Sequence, residues 1–102
     1  MTIVPHFDPV IHAPSRLQIC AMLASLDTAE FGAVRDTVGV SDSVLSKHVR
    51  QLEEAGYVKL TKATVASRMR TWLSLTRAGK AAFKAHVAEL EKLAAHARAL
   101  PN

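Results

Sequence analysis

Apolar positions along the chain change period twice, from helical to alternating and back. In SRLQICAMLASLD (15–27), Leu17, Cys20, Met22, Leu23 and Leu26 are spaced as on a helix with a broad buried face. Before it, DPVIHAP (8–14) is a turn or short helical piece bounded by Pro9 and Pro14. TAEF (28–31) is expected to be a brief extended link, and GAVRDTV (32–38) a short helix stopped by Gly39. Ser41 is placed to cap a third helix over 42–55, in which Leu45, Val49 and Leu52 recur at i, i+4 and i+7 and Gly56 ends the pattern. The period then becomes two. YVKLTK (57–62) and RTWLSL (70–75) alternate, the latter with Thr71, Leu73 and Leu75 on one face, and read as the strands of a hairpin. Their link, ATVASRM (63–69), is longer than a tight turn. Thr76 caps a last helix over 77–100, with Phe83, Val87, Leu90, Leu93, Ala97 and Leu100 along one stripe.

The order helix, helix, helix, hairpin, helix predicts a mainly α (α+β) winged helix-turn-helix. It would have a two-stranded β-hairpin wing and a long C-terminal dimerisation helix (77–100). The 102 residues form a single domain, with 1–14 as an N-terminal arm. VGVS joins the two helices of the helix-turn-helix. In such a unit the second helix enters the major groove. The side of that helix opposite Leu45, Val49 and Leu52 carries Ser43, Ser46, Lys47 and Arg50. Short hydroxyl side chains allow close approach, and the two cations can donate to guanine or to phosphate oxygens.

Charge sharpens this picture. The formal net charge is +4. Residues 41–77 hold seven basic and three acidic residues, and the rest of the chain holds six of each, so the whole excess lies in one contiguous third. A localised basic region is the electrostatic footprint of a nucleic-acid surface. On its own, a charge run is more often a solvated face; here it coincides with the helix-turn-helix and hairpin. The single cysteine, Cys20, excludes an intrachain disulfide and fits a reducing cytoplasm. No apolar run reaches the roughly 20 residues of a membrane span, and MTIVPHFDPV lacks the basic start of a secretory signal. The sequence contains no nucleophile elbow, no phosphate loop and no paired carboxylates with a positioned histidine, so no enzyme activity and no cofactor are expected.

Three strings, DPVIHAPSRLQICAML, FGAVRDTVGVSDSVLSKHVRQLEEAGYV and RMRTWLSLTRAGKAAFKAH, resemble the small stand-alone winged-helix transcriptional regulators related to the MarR and ArsR families. The resemblance covers nearly the whole chain. It implies sequence-specific binding of double-stranded DNA by a homodimer, most often for repression. The recognition-helix set is then Ser41, Ser43, Ser46, Lys47, His48 and Arg50, and the wing set is Lys62, Ser67, Arg68 and Arg70. The dimer interface would combine Phe7, Val10 and Ile11, an apolar patch with no evident home, with Phe83, Val87, Leu90, Leu93, Ala97 and Leu100.

Other readings stand beside these. His48 suits a phosphate contact or a partly buried position equally well. Trp72 points away from Leu73 and Leu75, toward a partner surface or the wing itself. His86 and Glu89, three apart on a helix, have a spacing that can bind metal, as in a metal-responsive ArsR-like sensor, but the ArsR cysteine motif is absent. Cys20, on an apolar helix face, reads as a buried inert thiol. A winged helix can also serve as a protein–protein module; the cationic helix argues against that. Operator, regulated genes and any effector are not encoded in these patterns.

Overall fold

The structure, a computed structural model, describes residues 4–101. Its elements run α1 (Pro9–His12), α2 (Pro14–Ser25), β1 (Ala29–Glu30), α3 (Phe31–Val38), α4 (Asp42–Glu54), β2 (Val58–Val65), β3 (Arg68–Leu75) and α5 (Arg77–Ala99). Residues 1–3 of the expected arm lie outside the described residues.

Local chemistry accounts for most boundaries. Asp8 caps α1 by accepting from the Val10 and Ile11 amides, and Pro9 occupies the first turn, where its missing N–H costs nothing. Gly39 adopts φ 77°, the left-handed geometry that closes α3. The Ser41 hydroxyl accepts from the Val44 amide at the start of α4, and the Thr76 hydroxyl from the Gly79 amide at the start of α5.

The core lies where α2, α3 and α4 meet the sheet. Ile19, Cys20, Leu23, Val34, Leu45, Val49, Leu52, Val58, Leu73 and Leu75 are buried there together. The expected i, i+4, i+7 stripe of α4 is the stripe that packs inward. Burial pushes the Cys20 thiol up to about 11.

The sheet differs from expectation in two ways. It has three strands in the order β1-β3-β2, because the TAEF link pairs with β3 through Ala29↔Leu73 and Glu30↔Trp72. The hairpin is also longer. β2 and β3 pair from Val58↔Leu75 to Val65↔Arg68, so only Ala66 and Ser67 form the turn. Their φ values of 50° and 66° are both left-handed, as a two-residue hairpin turn of the primed type requires. Asn-Gly would have announced such a turn. Ala-Ser carries no such signal, which is why this stretch reads as an open link.

One predicted interface residue is corrected outright. Ile11 has no solvent exposure and is part of the protomer's own core, because α1 folds back against α2, α4 and α5. Val10 packs partly against the same core. The patch that looked homeless in the sequence is housed by a helix of only one turn.

Candidate nucleic-acid interface

α4 is fixed by its buried stripe, so its opposite side is set without further choice. Ser43, Ser46, Lys47 and Arg50 lie on that side, all exposed. Ser46 and Arg50 border a shallow cleft with Phe31, Glu53 and Leu60. Ser41 is also exposed, and its oxygen is engaged as the helix cap.

His48 sits differently. It is half-buried, and its Nδ1 lies 3.2 Å from the Arg16 guanidinium. The same guanidinium nitrogen donates to Gln51 Oε1 at 2.6 Å, and Arg16 Nε donates to the Val10 carbonyl. Burial, then the Arg16 and Lys47 charges, hold the His48 pKa below its ordinary value. His48 therefore faces α1 and α2 and supports α4 from behind. Its helical position, three residues from Leu45 and four from Leu52, puts it beside the core stripe and not on the Ser43–Arg50 face.

On the wing, Lys62, Ser67 and Arg68 are exposed, with Ser67 and Arg68 at the hairpin tip. Arg70 is not at the tip. It is two residues down the strand, half-buried, and its guanidinium donates to Glu30 Oε1 at 2.8 Å. Arg70 Nε is buried and has no partner among the described residues. A second ion pair lies nearby: Arg35 donates to Asp42 Oδ1 at 2.8 Å and to Asp36 Oδ1 at 3.0 Å, and these carboxylates hold its charge firmly. Arg35, Arg68, Arg70, Glu30 and Asp42 together border an open cleft of about 330 Å³ between the tip-side half of β3 and the starts of α3 and α4.

Behind this surface is a polar cluster that periodicity did not reveal. His86 of α5 is the buried polar residue of the protomer among the described residues. The Asp8 amide donates to His86 Nδ1 at 3.2 Å, and His86 Nε2 lies 3.1 Å from His12 Nδ1. Nδ1 of His86 is thus an acceptor, the ring's proton is on Nε2, and it is donated to His12. Phe7 stacks on the His12 ring at 4.3 Å. The Tyr57 hydroxyl donates to Asp8 Oδ2 at 2.6 Å. Burial pushes the Asp8 carboxyl up, but the Tyr57 hydroxyl and the Val10 and Ile11 amides outweigh it and leave its pKa below the ordinary value. His86 is also held below its ordinary value, by burial first and the His12 charge second, with Asp8 and Glu89 opposing. The signal in the sequence was His86 at position i+7 from Gly79 and i+3 from Phe83, on the inward side of α5. Among the described residues, no group of three or more His, Cys, Asp or Glu is placed to hold a metal ion.

The remaining predicted interface residues divide along α5. Phe83, Val87 and Leu90 are half-buried, and Phe83, Val87 and Ala88 line an apolar cleft. Leu93, Ala97 and Leu100 are exposed, as is every residue from 91 to 100. The protomer measures 59 × 25 × 21 Å. At 1.5 Å per residue, the roughly 14 Å of bare helix over 91–99 accounts for part of that elongation. No helix among the described residues is long and apolar enough to cross a membrane.

Comparison with known proteins agrees with the fold. Residues 15–94 match the family model described as a winged helix DNA-binding domain. The chain is 30% identical over 84 residues to an uncharacterized protein of Methanocaldococcus jannaschii, covering 82% of this chain and 91% of that one. Among solved structures, it superimposes on a transcriptional regulator homologue from Pyrococcus horikoshii OT3 with a TM-score of 0.80 and 28% identity, covering 85% and 86% of the two chains. ZitR of Lactococcus lactis, a zinc-responsive MarR family member, shares the fold at a TM-score of 0.65 and 21% identity, covering 94% of this chain and 67% of that one. With a helix-turn-helix, a hairpin wing and a family match spanning residues 15–94, the chain belongs to the winged-helix DNA-binding domain family, a family of transcriptional regulators.

Proposed function

We propose that this chain is a homodimeric repressor that reads double-stranded DNA with the exposed face of α4 and grips the backbone with the wing. The observation that carries this reading is the exposed stripe Ser43, Ser46, Lys47 and Arg50 on a helix whose other side is locked into the core. Lys62, Ser67 and Arg68 extend the surface along the hairpin. A basic site in the cytoplasm, acting on chromosomal DNA, is the setting this implies. His48 and Arg70 are left out of the contact set, because each is held by a partner within the protomer. Arg50→Ala should weaken selected DNA by ~1–3 kcal/mol, the worth of one good base contact, with the melting temperature unchanged. If a mobility-shift titration shows wild-type affinity and selectivity, α4 is not the reader.

The dimer reading is supported by α5. A stripe of Phe83, Val87, Leu90, Leu93 and Leu100, with alanines at 94, 95, 97 and 99, leaves apolar surface in water in a lone protomer. Phe7 lies against His86 of the same helix, whereas Ile11 is already used internally and Val10 packs partly on the protomer's own core. A single winged helix touches few bases, so two half-sites are needed for useful affinity. Light scattering should give twice the 11.0 kDa of one chain. Leu90→Glu with Leu93→Glu should halve that mass and abolish tight operator binding. A wild-type monomer at micromolar concentration would overturn the dimer.

A further inference from the structure

Glu30 is an acidic residue on the side of the molecule proposed to face DNA, where a carboxylate repels phosphate. Its position is unusual in a second way. It is the last residue of β1 and the N-cap of α3, the first helix of the helix-turn-helix. An N-cap side chain normally turns back to accept from the first amides of its helix. That of Glu30 makes no such bond. It reaches across the sheet to Arg70 of the wing, at 2.8 Å.

The backbone places the pair. Glu30 lies opposite Trp72, and Arg70 is two residues along β3, so Glu30 and Arg70 are diagonal neighbours on one face of the sheet. β1 contributes only two residues to the ladder, a short connection between α3 and the wing. The ion pair adds a side-chain link across that connection. A second link continues the line, because Arg35 of α3 holds Asp42, the first residue of α4. Two ion pairs in series therefore join wing to α3 and α3 to recognition helix.

We infer that Glu30 is a positioning residue for DNA binding: through Arg70 it fixes the angle of the wing relative to α4, and it acts without touching DNA. This rests on the DNA-binding reading above. It makes a prediction opposite in sign to simple electrostatics. Removing a carboxylate beside DNA should strengthen binding to every sequence. Loosening the wing should weaken binding only where both half-surfaces must engage at once.

The test uses the full chain and two duplexes of roughly 30 bp, three helical turns. One is selected by the wild-type protein from a randomised pool, and the other is of random sequence. Glu30→Ala should lower affinity for the selected duplex roughly fivefold, the upper end of what an exposed ion pair is worth, and leave the random duplex equal or tighter. The double swap Glu30→Arg with Arg70→Glu keeps the pair and the net charge, and should restore selected binding. Independently of DNA, amide residual dipolar couplings of the wing should fit the alignment of α4 in wild type and swap, and depart from it in Glu30→Ala. Tighter binding of both duplexes by Glu30→Ala, or wing couplings that still fit in that variant, overturns the brace. If the wild type selects no duplex, the DNA reading fails, and the couplings alone decide the brace.

Discussion

Gly79→Ala should be among the most damaging single-methyl changes available to this chain. Gly79 is buried in the first turn of α5, against the backbone of Tyr57. A Cβ built there falls 2.0 Å from the Tyr57 carbonyl oxygen and 2.8 Å from its carbon. The obstacle is backbone and cannot swing aside. It is also anchored, because that same oxygen accepts from the Thr76 amide at 2.9 Å, and Thr76 Oγ1 donates to the Gly56 carbonyl at 2.6 Å. α5 would have to lift from the start of β2, loosening the Asp8–Tyr57 and Asp8–His86 contacts with it. Overpacking a closed core costs ~1–3 kcal/mol, and a rigid backbone obstacle places this case at or beyond the upper end. Urea unfolding at fixed protein concentration should show a loss of about 3 kcal/mol or more. Alanine is the better helix former, so a neutral or stabilised variant would show that α5 does not approach Tyr57 this closely.

The second large effect is on the dependence of stability on pH. The contacts of His86 fit only its neutral ring: a proton added to His86 Nδ1 would face the Asp8 N–H. His86 is held below the ordinary histidine value of about 6.5, so below that pH the unfolded chain binds a proton that the folded chain refuses. Stability from this group is complete above about pH 6.5 and is lost as pH falls from there toward the depressed folded-state value. His48, also lowered, acts in the same direction and window. The slope contributed by each is at most about 1.4 kcal/mol per pH unit. Unfolding free energies should change little between pH 7.5 and 6.5 and fall clearly at pH 5.5. In His86→Gln the starting stability should be lower and the slope shallower. An identical slope in variant and wild type would mean that His86 protonates freely in the fold.

The helices were legible because their apolar spacing is regular and their ends carry strong signals: Ser41, Thr76, Gly39 and Gly56. α4 could be oriented from Leu45, Val49 and Leu52 alone, and with it the face bearing Ser43, Ser46, Lys47 and Arg50. What sequence reasoning missed depends on contacts between distant residues. β1 is too short for any periodicity, and Glu30 and Arg70 are 40 positions apart. The Asp8–His86 bond spans 78. Ile11 looked like a partner surface because a one-turn helix has no period from which to read an inward side. The wing is longer than its alternating segments announce, because Ala66 and Ser67 adopt left-handed conformations that their side chains do not advertise.

The deep seat of Cys20 gives this chain an intrinsic clock for its own opening. Thiol reagents attack through the thiolate, and a group at about 11 inside the α2 core presents almost none while that core is closed. Any labelling must pass through a state in which α2 has come away from α3 and α4. Where reclosing outruns the reagent, the ratio of the observed rate to that of a free thiol is the population of that open state. No reporter has to be introduced, and no second cysteine confuses the signal, because the chain has only this one. The single sulfur thus turns core breathing into a chemical rate, readable in the intact protein with or without DNA.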